Sequence, residues 1–116
     1  MPPVIRRTVI LYSDEQGQEP FTEWYQSIKD HEVQSRIENR IKRLEKGLRG
    51  DHRSIADASG VCALRFHIGP EYRVYYAEDG LQVIVLLGAG GKKTQENDIH
   101  QAILRWQTYL NRKGHE

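Results

Sequence analysis

The sequence predicts an α+β domain: an antiparallel sheet with two N-terminal helices and a C-terminal helix packed on it. Three observations predict it. Apolar residues recur at steps of three and four from Phe21 to Leu48, alternate with polar ones around 64–77, and return to helical steps from Ile99 to Leu110. No repeat, linker or low-complexity tract interrupts the 116 residues, so one domain over 1–116 with one modest core is expected.

The elements follow in order. Val4 to Tyr12 is rich in β-branched and apolar residues and reads as a strand. Ser13 to Gln18 is a polar turn. Pro20 suits the first turn of a helix carrying Phe21, Trp24, Tyr25 and Ile28. Asp30 caps a second helix, whose stripe is Val33, Ile37, Ile41, Leu44 and Leu48, with Gly47 near its end. Arg49 to Gly60 reads as a polar loop. Leu64, Phe66 and Ile68 then alternate with Arg65 and His67, as in a half-buried strand. After a turn at Gly69, Pro70 and Glu71, the strand Tyr72 to Ala77 puts Arg73 and Tyr75 on one face, Val74 and Tyr76 on the other. Leu81 to Leu87 is nearly all apolar, as in a strand covered on both faces. Short links make these three strands an antiparallel meander. Gly88 to Lys93 reads as a loop, and Thr94 caps a last helix with stripe Ile99, Ala102, Ile103, Trp106 and Leu110. Ile37, Ile41, Leu44, Phe66, Val74, Val85 and Trp106 are expected to share one core.

Composition narrows the function. The lone Cys62 excludes an intramolecular disulfide and a Cys-rich zinc site, and fits a reducing compartment. Arg6 and Arg7 interrupt the N-terminal apolar stretch, which does not read as the uninterrupted apolar core of a signal peptide. No segment approaches the roughly 18 apolar residues of a membrane span. A cytoplasmic protein with no membrane partner is expected. The net charge of +1 does not argue for a nucleic-acid binder, but its distribution does. Acids dominate 14–32. The stretch 36–53 instead holds Arg36, Arg40, Lys42, Arg43, Lys46, Arg49 and Arg53 against three acids, which can build a basic face.

Strand alternation supplies the candidate site. Arg65 and His67 share a face, Arg73 and Tyr75 share a face, and a meander sets these faces side by side. Lys92 and Lys93 border the same surface from the next loop, and Arg53 enters from the loop before. Such a cluster suits an RNA phosphate. Arginine forks and lysines stabilise phosphate oxygens. An imidazole, with an unperturbed pKa of about 6.5, can move the protons of a 2′-hydroxyl attack. Tyr75 can stack on a base or orient the hydroxyl. The same alternation also fits cations that only cover the solvent side of a sheet. His31, His52, His100 and His115 show no ligand spacing, so neither metal nor cofactor is expected. Gly88, Gly90 and Gly91 before Lys92, Lys93 and Thr94 miss the spacing of a nucleotide-binding phosphate loop.

The stretches LRFHIGPEYRVYY and VIVLLGAGGKKTQ, then Asp98-Ile99 opening an amphipathic helix, resemble the RelE-related addiction-module killer proteins of the RelE/ParE superfamily. The paired helices and basic loop of 20–55 fit as well, so the resemblance spans nearly the whole chain. It implies a RelE-like fold, ribosome-dependent cleavage of messenger RNA as one half of a toxin–antitoxin pair, and neutralisation by a small helix-turn-helix antitoxin encoded next door. The family's basic active-site positions carry onto Arg65, Arg73 and Lys92, and onto Arg53. Arg36, Arg40, Arg43 and Arg49 are then expected to dock on ribosomal RNA. The glycine loop departs from the family's commoner GGGDKSTQ: Gly91 replaces an acid and Lys93 a serine. Two other readings stay open. One is a ParE-like inhibitor of DNA gyrase, and the other a non-catalytic module binding nucleic acid or protein.

Overall fold

The computed structural model describes residues 6–55 and 60–114. Five strands form one sheet: β1 (Thr8–Leu11), β2 (His52–Ser54), β3 (Val61–Arg65), β4 (Arg73–Asp79) and β5 (Val83–Gly90). Three α-helices accompany them: α1 (Pro20–Ser27), α2 (His31–Glu45) and α3 (Gln95–Gly114), the last entered through a 3-10 turn at Lys92–Thr94. The strand order is β1-β5-β4-β3-β2. The expected strand start at Val4, positions 56–59 of the expected loop, and His115 lie outside the described residues.

Local chemistry accounts for the helices. Pro20 opens α1, where its missing N–H costs nothing. The Asp30 carboxylate accepts from the N–H groups of Glu32 and Val33 and so caps α2. Helix α2 ends at Glu45, and Gly47 follows in the left-handed region at φ 84°. Leu48 lies beyond that end and is exposed.

β3, β4 and β5 form the expected antiparallel meander. The sheet as a whole is mixed, because β1 runs parallel to β5, Ile10 opposite Val85. The chain leaves β1, crosses one face through α1 and α2, and returns through the meander, which delivers β5 beside β1 in the same direction. The polar loop expected at 49–60 contains β2, an edge strand of three residues paired with β3. Its side chains are largely exposed, so no apolar alternation announces it. Gly88 to Gly90, expected in a loop, extend β5. Tyr75 stands opposite Gly88 and Tyr76 opposite Leu86, so Leu87 is the extra residue of a bulge. Gly88 has φ 153° and a side chain there would strike the Arg105 guanidinium, which bonds the Leu87 carbonyl at 2.9 Å.

The single core expected from the stripes is two. On one face, Phe21 of α1, Ile28 just after it, and Ile37 and Leu44 of α2 pack on Leu64, Phe66, Val74, Tyr76, Ile84 and Leu86, with Ile41 at the margin. On the other, Ala102 and Trp106 of α3 pack on Val61, Ala63, Tyr75, Ala77, Val85 and Leu87. A sheet with apolar side chains on both faces needs a helical layer on each. The far end of α3 is pinned to the end of β4, where Asp79 accepts from Tyr109 Oη at 2.6 Å and from Lys113 at 2.6 Å. Chiefly the Lys113 bond, then the Tyr109 bond, holds the Asp79 carboxyl below its ordinary value. No helix among the described residues is long and apolar enough to cross a membrane.

Candidate nucleic-acid interface

The meander hairpin turns about Gly69, so Arg65 and Arg73 are direct register partners. Arg73 is in turn opposite Gly90 on β5. Opposed residues of an antiparallel pair point to the same face, here the α3 face. Helix α3 covers the next rows of that face and leaves this one open: Tyr75 and Ala77 are fully buried, whereas Arg65 and Arg73 are half-exposed. Like charges directly opposite are unfavourable in a sheet. Arg65 is neutralised from the edge: its Nε and Nη2 donate to Asp51 Oδ1 at 3.1 and 2.9 Å. Arg73 gains no acidic partner among the described residues. Its Nη1 is buried with no acceptor among the described residues.

Asp51 does more than neutralise. Its other oxygen, Oδ2, lies 2.7 Å from His67 Nε2. The bonds from Arg65, then from His67, hold the Asp51 carboxyl below its ordinary value, so it stays an anion. The His67 side chain is 70% exposed, and an imidazole that donates Nε2–H to a carboxylate can accept on Nδ1. Lys92 reaches the same end of the sheet. Its N–H bonds the Pro70 carbonyl at 3.1 Å and its ammonium lies 3.6 Å from Glu71, both in the β3–β4 turn. Gly91 permits this approach, since a side chain there would press on Pro70.

A cleft of about 350 Å³ lies between α2 and the end of β3, lined by Arg36, Asn39, Arg40, Arg43, Asp51, Arg65 and His67 among others. A smaller one of about 60 Å³ adjoins it, sharing Arg65, Phe66 and His67 and reaching Arg73. The structure therefore brings together Arg65, His67, Arg73 and Lys92, with Arg36 and Arg43 across the cleft. Arg53 faces the same side of β2 two residues from Asp51, and Lys93 is exposed in the 3-10 turn.

Three expected contact residues are placed otherwise. Tyr75 has the expected face but is fully buried under α3, so its ring offers no stacking surface. Burial, then the nearby Asp98 carboxylate, pushes its phenol up to about 12. Arg40 is structural. Nη1 donates to the Arg65 carbonyl and Nη2 to the Asp51 carbonyl, each at 2.9 Å, and its Cζ lies 4.8 Å over the Phe66 ring. Burial lowers its pKa. Arg49 turns to the α1–α2 side of the sheet, where Nη2 bonds both oxygens of Glu78 at 2.8 and 2.9 Å, beside Arg7.

Two residues were not expected at the site. Asp51 is the lone acid just before Arg53, and only the register of β2 sets it against Arg65. Asp98, on the first turns of α3, places its carboxylate in the space that a side chain at Gly90 would take, and accepts from Thr94 Oγ1 at 2.5 Å. The glycine opposite Arg73 was its signal.

Fold and site define a mixed α+β protein with a cationic cleft at one end of its sheet. No family model matches the sequence. Over 84 residues the chain is 39% identical to an uncharacterized protein of Haemophilus influenzae, which covers 72% of this chain and 83% of that protein. The chain belongs to the same family as that protein.

Proposed function

We propose that this chain is a RelE-like toxin that cuts messenger RNA on the ribosome and is neutralised by a helix-turn-helix antitoxin, as the sequence resemblance implies. The observation that carries the reading is the Arg65–Arg73 pair. The two arginines are register partners on a row of the sheet that α3 leaves open; Asp51 pairs with Arg65, and Arg73 has no acidic partner among the described residues. A phosphate at the accessible part of this pair would meet a positive charge that Asp51 offsets only on the Arg65 side.

The chemistry follows from the groups around that position. His67, oriented by Asp51, takes the 2′-hydroxyl proton on Nδ1 as the 2′-oxygen bonds to phosphorus. The phosphorus–5′-oxygen bond breaks, leaving a 2′,3′-cyclic phosphate, and the 5′-oxygen takes a proton from solvent. Arg65, Arg73 and Lys92 stabilise the charge that gathers on the phosphate oxygens. Because the site holds message only where the strand is presented unpaired and in line, the ribosome supplies the substrate's geometry.

Single-turnover cleavage on programmed ribosomes tests this. Arg73→Ala should slow cleavage about 10²–10³-fold, and His67→Ala about 10²-fold or more. Ribosome binding should change less, and should fall steeply with added salt in all variants. Wild-type protein that leaves the message intact but blocks gyrase supercoiling would replace this reading with a ParE-like inhibitor. Protein that binds RNA and does neither would be a non-catalytic module.

A further inference from the structure

The 350 Å³ cleft beside the arginine pair holds groups that phosphate cleavage does not use. Arg36, Asn39 and Arg43 line it from α2, at helical spacing on one face. Arg43 has no acidic partner among the described residues. Arg36 has only Glu32 one turn away, both well exposed, a pair of little strength. Between them Arg40 is pinned by carbonyls at the edge of its guanidinium and backed by Phe66, and it too lines the cleft. The one acid in the cleft, Asp51, is already occupied by Arg65 and His67.

We propose that this cleft binds a single unpaired RNA nucleotide, the one next to the scissile phosphate. Its base lies against the immobilised guanidinium of Arg40, its phosphate bridges Arg36 and Arg43, and the Asn39 amide meets the base edge. Each part has a physical basis. Unpaired bases stack on arginine planes. Arginine forks match phosphate oxygens. An amide both donates and accepts, so it distinguishes base edges. The volume is that of a small-ligand site, and a duplex could not present a free base face to it. The inference rests on the nuclease reading only for the nucleotide's position, which follows because Arg65 and His67 line both clefts. On this view α2 reads the message, and sequence preference at the cut comes from Asn39.

Two measurements test it. The first titrates the isolated protein with 2′-deoxy trinucleotides, which cannot be cut by 2′-attack, and follows binding by NMR. Wild type should shift resonances around the α2 cleft, Arg43→Ala should weaken binding about tenfold, and Asn39→Ala should change the ranking of the four bases. The second maps cuts in a randomised codon on programmed ribosomes, where Asn39→Ala should redistribute the cut sites. Unchanged trinucleotide affinity and an unchanged cut pattern in both variants would overturn the subsite and leave the nuclease standing. Arg43→Ala that weakens binding to message-free ribosomes but not to trinucleotides would make this face a ribosomal-RNA dock and also overturn it. Trinucleotide binding in the cleft by a protein that cuts no message would keep the subsite and remove the nuclease.

Discussion

Arg40 is a surface cation by sequence and a structural brace by geometry, and its removal discriminates between the two. Its guanidinium makes two short bonds to main-chain carbonyls, of Asp51 and Arg65, and a longer one of 3.4 Å to that of Arg49. Hydrogen bonds from a charged donor contribute about 1.5–3 kcal/mol each. Part exposure puts these at the low end, so the two short ones give about 3 kcal/mol. The Phe66 contact adds about 0.5–1 kcal/mol. Against this, a mutant regains water on the freed carbonyls and is spared the guanidinium's desolvation. Arg40→Ala should therefore cost about 2–3 kcal/mol. Arg43→Ala, at an exposed position on the same helix, should stay within about 0.5 kcal/mol of wild type. Urea unfolding followed by tryptophan fluorescence reads the difference as a midpoint lowered by about 1–2 M for Arg40→Ala. Arg40→Lys should recover less than half of the loss, since one ammonium cannot reproduce a fork spread over separate carbonyls. Equal midpoints for Arg40→Ala and Arg43→Ala would refute the brace.

Other perturbations probe other links. Trp106→Ala should cost about 3–5 kcal/mol by the same assay, because the ring is 5% exposed within the α3 core. Gly90→Ala should cost about 1–3 kcal/mol by displacing the Asp98 carboxylate. Adding Asp98→Ala should recover part of that loss, and a double-mutant cycle showing strict additivity would sink the contact. Asp79 titrates below its ordinary value of 3.8 when folded. Its contribution to stability is thus complete above that value and lost as pH falls through the folded pKa. Asp79→Asn should flatten the acid limb of the stability–pH curve, and unchanged curvature below pH 4 would argue against the Lys113–Tyr109 clamp.

What was legible in the sequence follows how local each signal is. Helix caps and stripes depend on neighbours three or four apart, and Asp30, Pro20 and Gly47 act where expected. That Arg65 and Arg73 lie on neighbouring faces was legible from strand alternation, and the hairpin about Gly69 makes them direct partners. Tyr75 marks the limit of such reasoning. Alternation gives its face correctly, but only the placement of α3, set by contacts far along the chain, decides that its row is buried and the Arg73 row open. β2 was hidden for a related reason: an exposed edge strand of three residues has no periodicity, and Asp51 owes its role to pairing alone. Arg40 did carry a signal. It lies three residues after Ile37 and four before Leu44, at the margin of the apolar stripe, where a long side chain is drawn over the core.

Three departures from ordinary folding rules meet at one end of the sheet. Arg65 opposes Arg73. Arg73 Nη1 is buried without an acceptor among the described residues. Glu71, in the turn joining their strands, has φ 54° without being glycine. Each costs of order 1 kcal/mol, and nothing in the packing of either core requires them. Sequences break local rules where function compensates, so the cost should be recoverable at the expense of activity. Arg73→Met keeps an unbranched chain of similar reach, removes the repulsion with Arg65 and leaves no donor unsatisfied. It should be neutral or stabilising by up to about 1 kcal/mol while cleavage falls about 10²–10³-fold. Paired urea midpoints and single-turnover rates decide the matter. An Arg73→Met protein destabilised by more than about 1 kcal/mol would mean that the arginine is structural, as Arg40 is, and the argument that it is kept for phosphate would fail with it.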